Sequence, residues 1–195
     1  FSVVPIPKDE WGIDVILTGS QKALAMPPGL ALFSVSERAF QRAEQVEGKG
    51  YYFDFLEFRS NHAKGMTPST PVIPLIHALN YTLKKIFEEG VENRHNRHAE
   101  LNQIVHKWLE SKGFELLPKQ EFASKSLTCV RNNLDIDVAG FVKTLRQEKK
   151  ISIDGGYGKI KGKSFRISNM GDETVDSINH LISNMDEVIA SFLPV

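Results

Sequence analysis

The sequence predicts an α/β fold. Short apolar runs of strand length alternate with longer stretches whose apolar residues recur at helical spacing along the 195 residues. The chain is 41% hydrophobic and 25% charged, which is enough apolar material for a real core. No internal repeat or low-complexity tract interrupts this pattern. We therefore expect strands and helices packed around a shared core, rather than a disordered or all-helical chain.

The first third of the chain predicts two strands and a helix. Val15–Leu17 is an apolar run suited to a buried strand, and Gly19 with Ser20 marks its end. Leu30–Val35 is a second apolar strand. Ser36 then has the character of a helix N-cap, and the helix it opens should run towards Val46.

The segment Tyr51–Phe58 is rich in aromatic residues, and its alternation indicates a strand or an extended arm. We expect these aromatic side chains to pack in the core, with a substrate-lining role as the alternative.

Two helices should follow. The first has Pro71 or Pro74 in its first turn and ends at Gly90, and the second runs from about Glu92 to Lys112. Beyond them the pattern indicates a compact α/β unit whose two helices are opened by Asp135 or Asp137 and by Asp172. Its predicted strands are Phe114–Leu117, Ser126–Val130, Ile151–Ile153 and Ser164–Ser168.

Composition narrows the function. The 24 basic and 24 acidic residues give zero formal net charge, which favours neither a nucleic acid nor an anionic membrane surface as partner. Cys129 is the single cysteine, so no intrachain disulfide can form, and we expect a reducing, cytoplasmic setting. No apolar run approaches the length of a membrane span. Since the chain lacks an initiator Met and reaches a strand within a dozen residues, we expect it to be the C-terminal part of a longer protein.

One lysine stands out as a candidate for chemistry. Lys22 follows the first strand in a tight Thr-Gly-Ser turn and precedes a rigid Pro27-Pro28-Gly29 bend. A lysine at such a strand exit is expected to be partly desolvated, which favours the free amine that forms an imine with a carbonyl cofactor. By itself the position is equally typical of a solvated surface charge.

The surrounding string adds a resemblance. Gly-Ile-Asp, Thr-Gly-Ser-Gln-Lys-Ala-Leu and Pro-Pro-Gly-Leu, all within Gly12–Leu30, resemble the lysine segment of class V aminotransferases, in the alanine/serine–glyoxylate branch. These are pyridoxal-phosphate enzymes of fold type I. The resemblance implies that Lys22 is the Schiff-base lysine and that Gln21 contacts the cofactor phosphate.

The resemblance also implies an architecture. Residues 1–65 would be the end of the large cofactor domain, and residues 66–90 a connecting segment and helix. Residues 91–195 would form a small α/β domain with a mostly antiparallel sheet.

Two further segments match the same family in order. Thr67-Pro-Ser-Thr70 resembles the segment that reaches across a homodimer interface to the partner's cofactor phosphate; the alternative is an ordinary turn before a helix. Arg166, within Gly162–Gly171, resembles the strand arginine that binds the substrate α-carboxylate through a bidentate fork; the alternative is pairing with a surface acid.

The implied activity is transfer of an amino group from serine or alanine to glyoxylate or pyruvate in a homodimer. By the same resemblance, the aspartate facing the pyridine nitrogen lies upstream of Phe1, so these residues hold only part of a site. The alternatives are phosphoserine aminotransferase-like specificity, a cysteine desulfurase, or a non-catalytic scaffold of the same fold. A desulfurase needs a nucleophilic cysteine on a mobile loop, whereas Cys129 lies in an apolar strand pattern.

His95 and His98 could share a helix face as metal ligands, but the charged surroundings favour a solvated helix start, and no metal is predicted.

Overall fold

The computed structural model describes residues 3–193, which separate into two compact units. The first unit spans residues 5–88. The second spans residues 89–193 and also takes in Val3 and Val4. Each unit is α/β, as the alternating pattern predicts.

The first unit is built on a two-stranded antiparallel sheet. Strands β1 (Val15–Gly19) and β2 (Ala31–Val35) pair over their full lengths, so that Val15 faces Val35 and Gly19 faces Ala31. Helix α3 (Ile73–Glu89) completes the unit's core. This core has three buried residues, Leu24, Met26 and Ile86, and five partly buried ones, Leu30, Leu32, Leu75, Ala78 and Leu79.

Helix α1 (Glu37–Glu44) begins where its cap predicts. The Ser36 hydroxyl accepts a hydrogen bond from Ala39 N at 3.1 Å, which satisfies one of the unpaired amides of the first turn. The helix ends at Glu44, two residues before the predicted Val46.

The expected strand at Tyr51–Phe58 is wrong, because most of this segment forms helix α2 (Phe55–His62). The Asp54 carboxylate caps that helix by accepting from Leu56 N at 2.9 Å. An Asp one residue before a helix competes effectively with aromatic alternation, since it satisfies amides that a strand would leave to a neighbouring strand.

The aromatic residues divide by position. Tyr51, Tyr52 and Phe53 are 63%, 66% and 79% exposed, so the expectation of core packing is wrong for these three. Phe55 and Phe58 instead pack on Phe33 of β2, with ring centroids 5.7 and 5.1 Å away.

The second unit holds a three-stranded antiparallel sheet of order β3-β4-β5, with one long helix and two shorter ones. Its strands are β3 (Glu115–Leu116), β4 (Leu127–Arg131) and β5 (Ser164–Ser168). Its helices are α4 (Val91–Ser111), α5 (Val138–Glu148) and α6 (Val175–Ile189).

The core of this unit fixes the orientation of β5. Phe165 and Ile167 are at most 1% exposed, and a strand alternates its faces, so Arg166 between them projects from the opposite face. The other side chains exposed by less than 2% in this core are Leu101, Val105, Val130, Phe141, Leu145, Ile178, Met185 and Ile189.

Three local expectations in this unit are resolved. Asp137, and not Asp135, caps α5 by accepting from Gly140 N at 3.0 Å. Thr174, and not Asp172, caps α6, because Thr174 and Ser177 exchange hydrogen bonds in a capping box. The expected strand Ile151–Ile153 does not form; the chain there makes only an isolated bridge between Asp154 and Arg166.

Among residues 3–193, no helix is both long and apolar enough to cross a lipid bilayer.

Candidate active site

The loop between β1 and β2 is closed at its base by one serine. Ser20 is fully buried, and its hydroxyl donates to Pro27 O at 2.7 Å while accepting from Leu30 N at 3.2 Å. Its backbone bonds to the same segment, from Ser20 N to Leu30 O at 3.0 Å and from Met26 N to Ser20 O at 3.1 Å. Four hydrogen bonds on one residue hold the two ends of the loop together.

The far side of the loop is anchored by apolar side chains. Leu24 and Met26 are 3% and 7% exposed and belong to one cluster with Ile86 of α3. Between them Ala25 adopts a left-handed backbone with φ of 53°, which turns the chain sharply. The loop therefore has little freedom on either side of Lys22.

Lys22 itself is exposed, and its amine makes no hydrogen bond or ion pair with any residue in the range 3–193. The expected partial desolvation is therefore wrong for this chain. The burial falls on the neighbours Ala23 and Leu24, so the lysine at the apex of the turn points its charge into water.

Gln21, beside it, is also exposed. A Cβ at Gly19 would lie 2.6 Å from Gln21 Oε1, so the absence of a side chain at Gly19 lets the Gln21 amide lie over the end of β1. An amide and a primary amine are thus presented side by side on an anchored turn.

An apolar cavity of about 420 Å³ lies between the sheet and α3. Its lining includes Ile16, Leu24, Leu32 and Leu79, but neither Gln21 nor Lys22. The candidate site residues of this unit therefore lie on its open surface.

The segment Thr67–Thr70 forms a turn before α3. The Thr67 hydroxyl donates to Ser69 O at 2.6 Å, and Tyr51 Oη donates to Pro68 O at 2.9 Å. Both threonines are exposed, and within the described part of the chain the Thr70 hydroxyl makes no hydrogen bond. The turn is thus held by its neighbours while its hydroxyl groups face solvent.

Arg166 pairs with an acid that the sequence did not single out. Its Nη2 lies 2.8 Å and its Nε 3.2 Å from Asp154 Oδ1, and its guanidinium carbon lies 5.0 Å from the Tyr157 ring centroid. The hydrogen bond from Arg166 lowers the pKa of the Asp154 carboxyl, and the same bond raises the pKa of Arg166. The arginine side chain is 24% exposed, so an incoming carboxylate could reach it.

Asp154 and Tyr157 are the neighbours that sequence reasoning missed. The isolated bridge between Asp154 and Arg166 brings them together, and a pairing across 12 residues of irregular chain leaves no periodic signal. Of the predicted site residues, Gln21, Lys22, Thr67 and Thr70 lie in the first unit and Arg166 in the second.

Cys129 lies on β4, and its Cα faces Arg166 of β5 in the register. It is half-buried, and burial raises the pKa of its thiol. A protonated thiol fixed in the middle of a sheet does not suit a nucleophile that has to travel on a loop.

The predicted solvated start of α4 is wrong for His98, which is fully buried, with both ring nitrogens in hydrogen-bonding contact with protein atoms. Among residues 3–193, no three His, Cys, Asp or Glu side chains lie together as metal ligands.

The class V aminotransferase model (Aminotransferase class-V) matches residues 2–165. The chain belongs to this family. An uncharacterized aminotransferase of Methanocaldococcus jannaschii is 39% identical over 84% of this chain and 43% of its own length. Serine–glyoxylate aminotransferase of Arabidopsis thaliana is 36% identical over 84% of this chain and 41% of its own length.

A solved structure agrees with the fold. Alanine–glyoxylate aminotransferase from Nostoc sp. superposes with a TM-score of 0.90 at 29% identity, over 96% of this chain and 51% of that one. The chain thus spans about half the length of the class V relatives it matches. The predicted fold class, the C-terminal part of a pyridoxal-phosphate-dependent transferase, is confirmed by this coverage.

The residues present fit the cofactor that the family implies. Pyridoxal phosphate needs a primary amine for its aldehyde and hydrogen-bond donors for its phosphate. The unpaired amine of Lys22 meets the first need, and the amide of Gln21 and the hydroxyl of Thr70 have the chemistry for the second.

Proposed function

We propose that the protein containing this chain is a pyridoxal-phosphate-dependent aminotransferase that holds its cofactor through Lys22. The observation that carries the proposal is the Lys22 amine, which is exposed and unpaired among the described residues. It stands on a turn fixed by Ser20 at its base and by Leu24 and Met26 on its far side. A solvated surface lysine does not need such a support.

Each residue has a separate task in this proposal. Pyridoxal phosphate, when bound, supplies an aromatic ring that accepts electrons from the substrate Cα. Lys22 Nζ binds the cofactor covalently and, once released by the donor amine, carries the proton that leaves the substrate Cα. Gln21 donates hydrogen bonds to the phosphate. Thr67 and Thr70 do the same for the site of a partner subunit, with Thr70 as the principal ligand.

Arg166 is proposed to bind the substrate α-carboxylate. Asp154 is only partly buried and holds the guanidinium mainly through one oxygen, Oδ1, at 2.8 and 3.2 Å. A substrate carboxylate can therefore share or replace that pairing while Tyr157 keeps its contact with the guanidinium. A bidentate bond to Arg166 orients the substrate, which a lysine's single ammonium would not achieve.

The proposed substrates are a small amino donor, serine or alanine, and a small 2-oxo acid, glyoxylate or pyruvate. The printed names of the relatives support this class, since they include serine–glyoxylate and alanine–glyoxylate aminotransferases. Aspartate–glyoxylate aminotransferase of Paracoccus denitrificans shows that the donor varies among relatives of similar identity. We also propose a cytoplasmic homodimer.

The position of Cys129 speaks against a cysteine desulfurase, because the thiol lies inside a paired strand and burial raises its pKa. A phosphoserine-specific transaminase and a non-catalytic scaffold are separated by experiment.

The test is reduction of the intact protein with borohydride in the presence of pyridoxal phosphate, followed by peptide mapping. We expect the reduced cofactor on Lys22, and no label at that peptide in Lys22→Ala. Lys64→Ala is the matched control, because Lys64 is an exposed lysine of the same unit. A reduced cofactor on another lysine would contradict the assignment, and failure to bind cofactor at all would favour the scaffold.

An assay with alanine, serine and phosphoserine as donors and glyoxylate as acceptor then tests the substrate class. Turnover with phosphoserine alone would overturn the proposed specificity while leaving the role of Lys22 intact.

A further inference from the structure

A buried polar cluster in the second unit takes no part in the proposed chemistry. Its centre is His98 on α4, which is fully buried. His98 Nδ1 lies 2.7 Å from the carbonyl oxygen of Arg94, and His98 Nε2 lies 3.0 Å from the backbone nitrogen of Gly171. A carbonyl only accepts and a backbone N–H only donates, so Nδ1 must carry the proton and Nε2 must be bare. The two contacts together select one neutral tautomer.

The peptide at Gly171 is held from both sides. Its N–H donates to His98 Nε2, and its carbonyl accepts from Arg97 Nη2 at 3.2 Å. Gly171 adopts a φ of 87°, in the left-handed region that favours glycine. Side chains of α4 thus hold an unusual backbone conformation in place.

The same turn is fixed at its other end by Asn169, which is also fully buried. Its Nδ2 donates to the carbonyls of His98 and Lys125, both at 3.0 Å, and its backbone N–H donates to Ser126 O at 3.1 Å. Asn169 directly follows β5, three residues after Arg166. The turn therefore determines where the end of the arginine strand lies.

We propose that His98 is a positioning residue for Arg166: its neutral Nδ1–H imidazole accepts the Gly171 N–H and so fixes the turn that ends β5. This inference rests on the proposed role of Arg166 in binding the substrate carboxylate. His98 touches neither substrate nor cofactor in this account, and it acts through the turn.

A pH dependence follows from the geometry. A protonated His98 would present an N–H to the Gly171 N–H at 3.0 Å, so two donors would oppose each other. The groups around it also disfavour a second cation. Arg94 and Arg97 come from α4, and Glu89, at the end of α3, is already bound to both at 2.9 and 2.6 Å.

The turn adds further charged groups. Asp172 lies 3.5 Å from Arg94 Nη2, and Glu173 offers its backbone carbonyl to Arg97. Burial lowers the pKa of His98, with smaller effects from these neighbours. His98 therefore stays neutral near pH 7, and the turn is released only at acid pH.

The first test needs no substitution. Multiple-bond ¹⁵N–¹H correlation in the intact protein should show His98 with a protonated Nδ1 and a bare Nε2 at pH 7. An Nε2–H tautomer or an imidazolium at that pH would overturn the inference.

The second test compares two substitutions. Glutamine can place an amide oxygen near the position of Nε2 and does not titrate, whereas leucine supplies no acceptor. For His98→Leu we expect faster exchange of the Gly171 amide and a KM for the amino donor raised roughly ten-fold, with kcat within about two-fold of the parent. For His98→Gln we expect a KM near that of the parent that no longer rises at acid pH. His95→Gln, one helical turn away, is the control and should change neither quantity.

Failures of the two proposals differ. If Arg166→Lys raises KM and His98→Leu does not, the positioning role is wrong and the role of Arg166 stands. If neither substitution changes KM, the carboxylate role of Arg166 is wrong and this inference falls with it. An acid rise in KM that persists in His98→Gln would also contradict it, because the titrating group would then lie elsewhere.

Discussion

Removing the Ser20 hydroxyl should loosen the loop that carries Lys22. The hydroxyl donates to Pro27 O at 2.7 Å and accepts from Leu30 N at 3.2 Å, and both bonds are partly buried. Each such bond contributes about 1 kcal/mol net, so Ser20→Ala should cost about 2 kcal/mol of local stability. That corresponds to about a thirty-fold increase in the equilibrium constant for local opening.

Native-state hydrogen exchange of the intact protein measures this directly at Met26 and Leu30. The amide of Met26 bonds to Ser20 O and should exchange faster by about the factor given by the opening equilibrium. Ser34→Ala is the control, since Ser34 is exposed on the neighbouring strand β2. Equal exchange in Ser20→Ala, Ser34→Ala and the parent would show that apolar anchoring alone holds the loop, which would refute the reasoning.

The remaining predictions concern charged groups. Lys22→Ala should abolish covalent cofactor attachment and lower transamination by orders of magnitude, measured by cofactor absorbance and an alanine–glyoxylate assay; retained turnover would contradict the assignment. Arg166→Lys should raise the KM for amino acids roughly ten- to hundred-fold through loss of the bidentate fork, with cofactor affinity little changed; an unchanged KM would indicate a surface ion pair only. Asp14 should titrate with a pKa of about 2, because the hydrogen bond from Arg38 lowers it from 3.8. Its stabilising effect is therefore complete above pH 3.8 and is lost as the pH falls through about 2. Carboxyl ¹³C shifts should follow this titration, and Arg38→Gln should move it back upward.

Features set by neighbours in sequence were predictable. The strands around Val15 and Phe165 and the long helix α4 follow from periodicity. The Ser36 cap follows from one side chain reaching an amide three residues away. The lysine segment was recognisable for the same reason, since all of its residues are contiguous.

Features that depend on partners distant in sequence were not predictable. Nothing near Arg166 indicated that it would pair with Asp154, because the pairing arises where irregular chain meets β5. The aromatic stretch before α2 alternates like a strand, and its helical state depends on an Asp54 cap and on contacts with Phe33.

The sequence by itself determined the family, the α/β class and the position of the candidate lysine, because these depend on local patterns and on a continuous motif. The tertiary structure alone decided burial. It left Lys22 in water by burying its neighbours, and it buried His98, whose charged surroundings in sequence indicate a solvated surface. The physical reason is that burial is a property of what packs against a residue, and those partners lie up to 73 residues away in the case of His98 and Gly171.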